Sequence, residues 1–126
     1  GTAEMARRDT GEKKSVSARE IVPAIREALH DIQQGLYDRA YAFRRENTHV
    51  VDSYDRFKEV MDAGGFALMH WDGTAETEAR VKEETKATIR CLPFPGQFPG
   101  IDTEEAGTDP VSGAPADRRV VYAKSY

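Results

Sequence analysis

The 126-residue chain has little cysteine and little histidine: one cysteine, Cys91, and three histidines. A single cysteine cannot form an internal disulfide, and it cannot build a thiolate metal site alone. No run of about 18 apolar residues occurs, which argues against a membrane-spanning helix. No basic segment leads into an apolar stretch near the N-terminus, as a secretory signal would require. We therefore expect a protein of the cytoplasm with no membrane partner.

Basic residues are outnumbered, since 18 Lys and Arg face 22 Asp and Glu and the net charge is −4. A general nucleic-acid binder needs a basic face, so this balance argues against one. The acidic excess lies in segment 93–117, which holds five acidic residues, no basic residue and five of the six prolines. Because proline removes a backbone donor and fixes φ, no regular element is expected there. Such a long loop is typically functional or disordered.

The spacing of apolar residues from residue 17 onward predicts three helices and three strands. A capping-box pattern at Ser17–Glu20 and helical spacing predict a long helix that ends near Asn47. A second helix is predicted after the N-cap Asp52, and a third runs from the N-cap Thr74 to about Thr85. Strands are predicted over 66–71, 87–92 and 119–124. This order predicts an α+β fold, with a long N-terminal helix before a small three-stranded sheet whose one face is covered by helices.

Residues 2–9 alternate in part, in the way of an edge strand. A strand needs a partner, and no partner is evident in the neighbouring sequence. We therefore predict that this strand belongs to a sheet formed with residues outside this chain.

Few residues carry side chains suited to chemistry. His30, His49 and His70 show no ligand-pair spacing, so we interpret them as surface or helix-end residues. Cys91, His70 and Asp72 could be considered a metal site or a set with a nucleophilic cysteine. A metal site would lack its fourth ligand. A reactive thiol needs a helix N-terminus or a cation beside it, and Cys91 is predicted in mid-strand. We predict a buried or half-buried structural thiol.

The third helix and the strand after it are rich in charge. The adjacent carboxylates Glu83 and Glu84 point in different directions on a helix and cannot act on one bond. A basic set could contact phosphate, but it is small and mixed with acids, so it indicates nucleic-acid contact only weakly. This set comprises Arg80, Lys82, Lys86 and Arg90. Composition and spacing alone therefore predict an accessory domain without an active site of its own.

Longer motifs are more specific. In this order, Phe43–Thr48 (FRRENT), His70–Thr74 (HWDGT) and Lys82–Cys91 (KEETKATIRC) resemble the C-terminal extension of prolyl-tRNA synthetases of the archaeal/eukaryotic-like type. The resemblance continues to the terminal residues 123–126 (AKSY). It covers nearly the whole chain except the 93–111 loop.

The resemblance implies three parts and a parent enzyme. Residues 1–10 would be the last strand of the anticodon-binding domain, 11–50 a linker helix, and 51–126 a C-terminal α/β domain. The parent enzyme would join proline to its tRNA with ATP and magnesium, through prolyl-adenylate, as a homodimer. Nothing in the chain resembles the class II catalytic domain, so no catalytic or cofactor-binding residue is expected here.

The expected role is therefore structural, as a domain that packs on the remaining domains of the synthetase. Two alternatives stay open. One is a stand-alone protein-interaction module that uses the long helix and the acidic loop. The other is a direct tRNA contact through the basic set.

Two family features map onto single positions. Many members hold zinc with four cysteines, and the first pair, Cys-x4-Cys, falls here at Asp72 and Thr77. The second pair would fall near 109–112, where this chain has no cysteine, which leaves Cys91 alone. Zinc needs several such ligands, so we predict that it is absent and that core packing replaces it. The other feature is the terminal tyrosine, here Tyr126, whose carboxylate would approach the parent's active site.

Overall fold

The computed structural model describes residues 1–124. The chain divides into two compact units, residues 1–43 and residues 44 onward. The first unit contains strand β1 (Thr2–Ala6), strand β2 (Lys13–Ser17) and most of helix α1 (Ile21–Asn47). The two strands form an antiparallel hairpin in which Thr2 lies opposite Ser17. Its turn contains Gly11 with φ +74°, a left-handed conformation that glycine adopts without strain.

This hairpin corrects two expectations. The first strand does have a partner within the chain, namely β2. The sequence signal for β2 was weak because its five residues include two lysines and only one large apolar residue, Val16. The capping box at Ser17–Glu20 is not formed, since Ser17 ends β2 and α1 begins at Ile21. Helix α1 therefore starts well inside the range 11–50 and ends at Asn47, as predicted.

The second unit holds the remaining elements in the order β3 (Thr48–Val50), α2 (Tyr54–Ala63), β4 (Phe66–His70), α3 (Ala75–Thr85), β5 (Ala87–Cys91), β6 (Gly107–Thr108), β7 (Pro115–Ala116) and β8 (Arg119–Lys124). A four-stranded sheet has the order β3-β4-β8-β5. Strands β3 and β4 are parallel and joined through α2, whereas β8 is antiparallel to β4 and β5. The α+β class is confirmed, but the sheet has four strands rather than three. The missed strand, β3, has only three residues, too few to show an alternating pattern.

Each face of this sheet has its own apolar cluster. Helices α2 and α3 cover one face, where Phe57 and Tyr122 meet edge to face with ring centroids 5.2 Å apart. The loop after β5 covers the other face, where Phe98 packs with Leu68 and Val121. Because successive strand residues point to opposite faces, Leu68 and Met69 serve different clusters. The helix-covered cluster comprises Val51, Phe57, Val60, Met61, Ala67, Met69, Val81, Ala87, Val120 and Tyr122.

The helix ends follow capping rules. Thr74 caps α3, as predicted, with Oγ1 accepting a hydrogen bond from the Thr77 amide at 3.3 Å. The cap of α2 is Ser53 rather than Asp52, because the Ser53 hydroxyl oxygen accepts from the Arg56 amide at 3.2 Å. Gly64 ends α2 with φ +85°. No helix in the described part of the chain is long and apolar enough to cross a membrane.

Candidate functional site

Four polar residues lie together at one end of the four-stranded sheet, at or near the positions where the resemblance described above implies zinc ligands. Asp72 follows β4 by two residues, and Thr77 lies in the first turn of α3. Asp109 follows β6, and Ser112 lies in the turn that leads to β7. The structure brings Asp109 within hydrogen-bond distance of the Asp72 amide, and Thr77 within hydrogen-bond distance of the Asp72 carboxylate. We call these four residues the polar cluster.

Asp72 is the centre of the polar cluster. Its Oδ1 accepts hydrogen bonds from the amide and the hydroxyl of Thr74, at 2.9 and 2.8 Å. Its Oδ2 accepts from the hydroxyl of Thr77 at 2.7 Å. Asp72 therefore joins the end of β4 to the start of α3.

Asp109 completes the connection from the loop side. Its side chain is fully buried. Its Oδ2 accepts from the Asp72 amide at 2.9 Å, whereas its Oδ1 accepts from the amides of Val111 and Ser112 at 2.8 and 3.4 Å. Three backbone N–H groups thus compensate for the burial of this carboxylate, which would otherwise be costly.

The hydrogen bonds of Asp72 change its acidity. Partial removal from water raises the pKa of this carboxyl, but the donated hydrogen bonds of Thr77, Ser112 and Thr74 outweigh that effect. They lower the pKa from 3.8 to about 2, because they favour the charged form. Asp72 is therefore ionised across the physiological pH range.

The polar cluster does not suit zinc. Structural zinc sites use thiolates and imidazoles, and these four positions supply two carboxylates and two hydroxyls. Both oxygens of Asp72 and both of Asp109 already accept hydrogen bonds from the protein. Within residues 1–124, no group of three or more His, Cys, Asp or Glu side chains is placed to hold a metal ion. Hydrogen bonds join these four residues, and the neighbouring Trp71 and Val111 pack against the helix-covered cluster.

The other candidate ligands lie elsewhere or have other partners. Cys91 is exposed, so the prediction of a buried or half-buried thiol is wrong. A register shift between Ile89 and Cys91 interrupts the pairing of β5 with β8 just before this residue. His70 is buried rather than at the surface, and its Nε2 lies 2.8 Å from the Glu105 carbonyl oxygen. Gly107 lies against this imidazole so closely that a Cβ there would clash with the ring.

Two residues of the basic set make contacts within the fold. Arg80 pairs with Glu84 at 2.9 Å and also donates to the Val111 carbonyl. Arg90 donates to the Lys124 carbonyl at 3.0 Å. Glu84 further accepts a 2.7 Å hydrogen bond from the Tyr54 hydroxyl. Arg80 and Arg90 therefore contribute to the fold, which weakens the case for a phosphate-binding surface here.

The sequence does not predict the burial of two polar residues of β8. Arg119 is 7% exposed, and its guanidinium donates to the Val51 carbonyl at 3.2 Å and to Asp52 at 2.7 Å. The Tyr122 hydroxyl is buried without a hydrogen-bond partner among the described residues. Burial and the nearby carboxylates, Asp109 first among them, raise the pKa of this phenol. A polar residue in a strand pattern is expected to face water, so the local pattern predicts the burial of neither residue.

A small recess lies beside the polar cluster. It has a volume of about 130 Å³ and lies between Trp71, Gly73 and Arg118. Pockets for small molecules typically measure about 300–1,000 Å³, so this recess does not suit a nucleotide. Tyr126, the remaining candidate, lies outside the described residues.

Comparison with known proteins identifies the family. A sequence profile described as "Prolyl-tRNA synthetase, C-terminal" matches residues 54–126. Among similar proteins, the proline–tRNA ligase of Salinibacter ruber is 50% identical over 98% of this chain and 24% of the relative. The proline–tRNA ligase of Phocaeicola vulgatus is 49% identical over 99% of this chain and 25% of the relative. That of Azobacteroides pseudotrichonymphae is 46% identical over the whole chain and 24% of the relative.

These matches define first a class, the C-terminal α+β domain of an aminoacyl-tRNA synthetase. The chain belongs to the family of prolyl-tRNA synthetase C-terminal domains. It spans about a quarter of the length of the curated relatives that it matches.

Proposed function

We propose that the chain acts as the C-terminal part of a proline–tRNA ligase, which attaches proline to its tRNA with ATP and magnesium through prolyl-adenylate. The observation that carries this proposal is the identity of 46–50% over 98–100% of the chain to proteins of that name. Residues 54–126 of the chain also match the profile of the C-terminal region of prolyl-tRNA synthetases. The chain itself contributes no catalytic group in this proposal. Its partners are the other domains of the synthetase and, through them, proline tRNA.

A chimeric enzyme tests this proposal. The corresponding quarter of the Salinibacter ruber ligase is replaced by this chain, and tRNA charging with proline is compared with that of the ligase lacking the quarter. We expect the chimera to charge tRNA faster than the shortened enzyme. Charging no faster than the shortened enzyme would contradict the proposal and favour a stand-alone interaction module.

The chain alone should show no proline-dependent exchange between ATP and pyrophosphate. No segment of it resembles a class II catalytic core, and the recess beside the polar cluster is too small for ATP. The measurement uses protein purified free of host synthetase. Exchange above a blank without proline would contradict the accessory role.

The proposal includes a zinc-free domain. Its support is the polar cluster, in which Asp72, Thr77, Asp109 and Ser112 stand where four cysteines would be expected. Elemental analysis after dialysis against a mild chelator should find far less than one zinc per chain. A full equivalent of zinc would contradict this part of the proposal.

Further parts of the proposal concern the whole synthetase. We propose a homodimer in the cytoplasm, with the carboxylate of Tyr126 near its active site. Removing Tyr126 from the chimera should lower the charging rate with little change in the melting temperature, because positioning near the reaction is sensitive to small displacements. An unchanged rate would discard this role. A large loss of stability would instead indicate that the ring packs on a neighbouring domain.

A further inference from the structure

The acidic loop needs anchoring, because it is long and almost without regular structure. Residues 93–117 contain only the two-residue strands β6 and β7. One anchor is apolar, since Phe98 and Ile101 pack on the sheet. In the second half of the loop, Val111 packs against the helix-covered cluster and Ala116 is buried. The polar cluster adds a hydrogen-bonded anchor to the β6–β7 hairpin through Asp109 and its neighbours.

The connections of the polar cluster cross three separate stretches of chain. The Asp72 amide donates to the Asp109 carboxylate, the Thr77 hydroxyl donates to the Asp72 carboxylate, and the Ser112 amide donates to the Asp109 carboxylate. The hairpin is also held from within, because the Asp109 amide donates to the Ala114 carbonyl at 2.9 Å and the Gly113 amide donates to the Asp109 carbonyl at 2.8 Å. A reciprocal set of this kind fixes relative position as several metal–ligand bonds would, with no buried acceptor left over.

We propose that Asp72, Thr77, Asp109 and Ser112 form a metal-independent clamp that fastens the β6–β7 hairpin to the junction of β4 and α3. The clamp occupies the place where the family resemblance implies a zinc ion. It acts through hydrogen bonds to two carboxylates, so chelators leave it intact. The inference concerns this chain's folding alone and stands apart from the proposed enzymatic role.

Amide hydrogen exchange on the 126-residue chain tests the clamp. In Asp109→Asn, the side-chain atom that faces the Asp72 amide becomes a donor in the amide orientation that keeps the Val111 contact, so one connection is lost. The amides of Asp72, Val111 and Ser112 should exchange about tenfold faster than in the wild type. The matched control is Asp102→Asn in the same loop, where the carboxylate accepts from the Glu104 amide at 2.9 Å. This control should leave the exchange of the three clamp amides unchanged.

A second variant guards against misfolding of the first. Thr77→Val keeps the shape of the side chain and removes only the hydroxyl that donates to Asp72. It should speed exchange at the same amides by a smaller factor, about threefold. Adding EDTA to the wild type should change nothing. Unchanged exchange in both variants, or an EDTA effect on the wild type as large as that of Asp109→Asn, would overturn the clamp.

Discussion

The two compact units differ in how much apolar surface each one buries. Among residues 1–43, only Val16 and Ala28 are buried hydrophobic residues. Helix α1 leaves large apolar side chains of this unit 42–61% exposed: Val22, Ile25, Leu29, Leu36 and Tyr37. The second unit has ten buried residues in one cluster and a further apolar cluster on the other sheet face.

This difference indicates where the stability resides. Helices gain most of their stability from packing an apolar face, and a two-stranded hairpin alone is marginal in water. The second unit has the core that such packing requires, and the first unit has little. We therefore expect the same type of substitution to lower the free energy of unfolding more in the second unit than in the first.

The largest effect is expected from emptying the helix-covered core. Phe57 is fully buried and meets Tyr122 edge to face, so Phe57→Ala should lower the free energy of unfolding by about 3–5 kcal/mol. Urea unfolding followed by the fluorescence of Trp71 measures this loss within the second unit. The matched control is Phe43→Ala, at a ring of α1 that is 59% exposed. Equal losses in the two variants would contradict the contrast between the units.

A smaller loss is expected at a buried charge of the second unit. Arg119→Met keeps much of the side-chain volume but removes the hydrogen bonds to the Val51 carbonyl and Asp52. The buried carbonyl then lacks a donor, so the free energy of unfolding should fall by about 1–3 kcal/mol. The same change at the exposed Arg26 of α1 serves as control. A loss no larger than that of Arg26→Met would show that these hydrogen bonds contribute nothing net.

The elements that the sequence predicts well are those with strong local signals. Thr74 as the cap of α3 and the glycine that ends α2 follow from backbone chemistry within a few residues. Strand β3 is not predicted because it is short. Strand β2 is not predicted because its lysines obscure the alternation of polar and apolar residues. Pairing of β1 with β2 is a property of two segments together, which no single window of sequence contains.

The sequence alone does not predict the chemistry of the candidate site. The resemblance singles out Asp72, Thr77 and residues near 109–112, and the structure places Asp72 beside both Thr77 and Asp109. The hydrogen bonds among them depend on which amides face inward, and this follows from the turn after β6. The burial of His70 and the exposure of Cys91 likewise depend on the covering loop and on the irregular end of β5, which local patterns do not encode.

Acid should reveal how much the Asp72 carboxylate contributes to the stability of the second unit. Asp72 has a folded pKa of about 2 against an ordinary 3.8, so its contribution to stability is fully present above about pH 4. That contribution is lost as pH falls toward 2. The stability difference between wild type and Asp72→Asn should shrink over this range, as measured by thermal unfolding at several pH values.

Salt provides the comparison with the first unit. The Asp31 carboxylate of α1 lies 3.4 Å from an Arg7 nitrogen, and its side chain is 53% exposed. Surface pairs are screened, so about 0.5 M salt should abolish any stability effect of Asp31→Asn and preserve that of Asp72→Asn. Equal salt sensitivity of the two variants would show that the Asp72 carboxylate is no better shielded than a surface one.

The smallest effect is expected on the exposed face of α1. Leu29 is 61% exposed, so Leu29→Gln removes apolar area that water already reaches. Glutamine and leucine have similar helix propensities, so the helix itself should be unaffected. The free energy of unfolding should stay within about 0.5 kcal/mol of the wild type in urea titrations followed by helical circular dichroism. Leu68→Ala, at a fully buried position of β4, should instead cost about 2–5 kcal/mol. A loss above about 1 kcal/mol for Leu29→Gln would mean that this face of α1 is packed in solution. The first unit would then bury more apolar surface than the contrast between the units assumes.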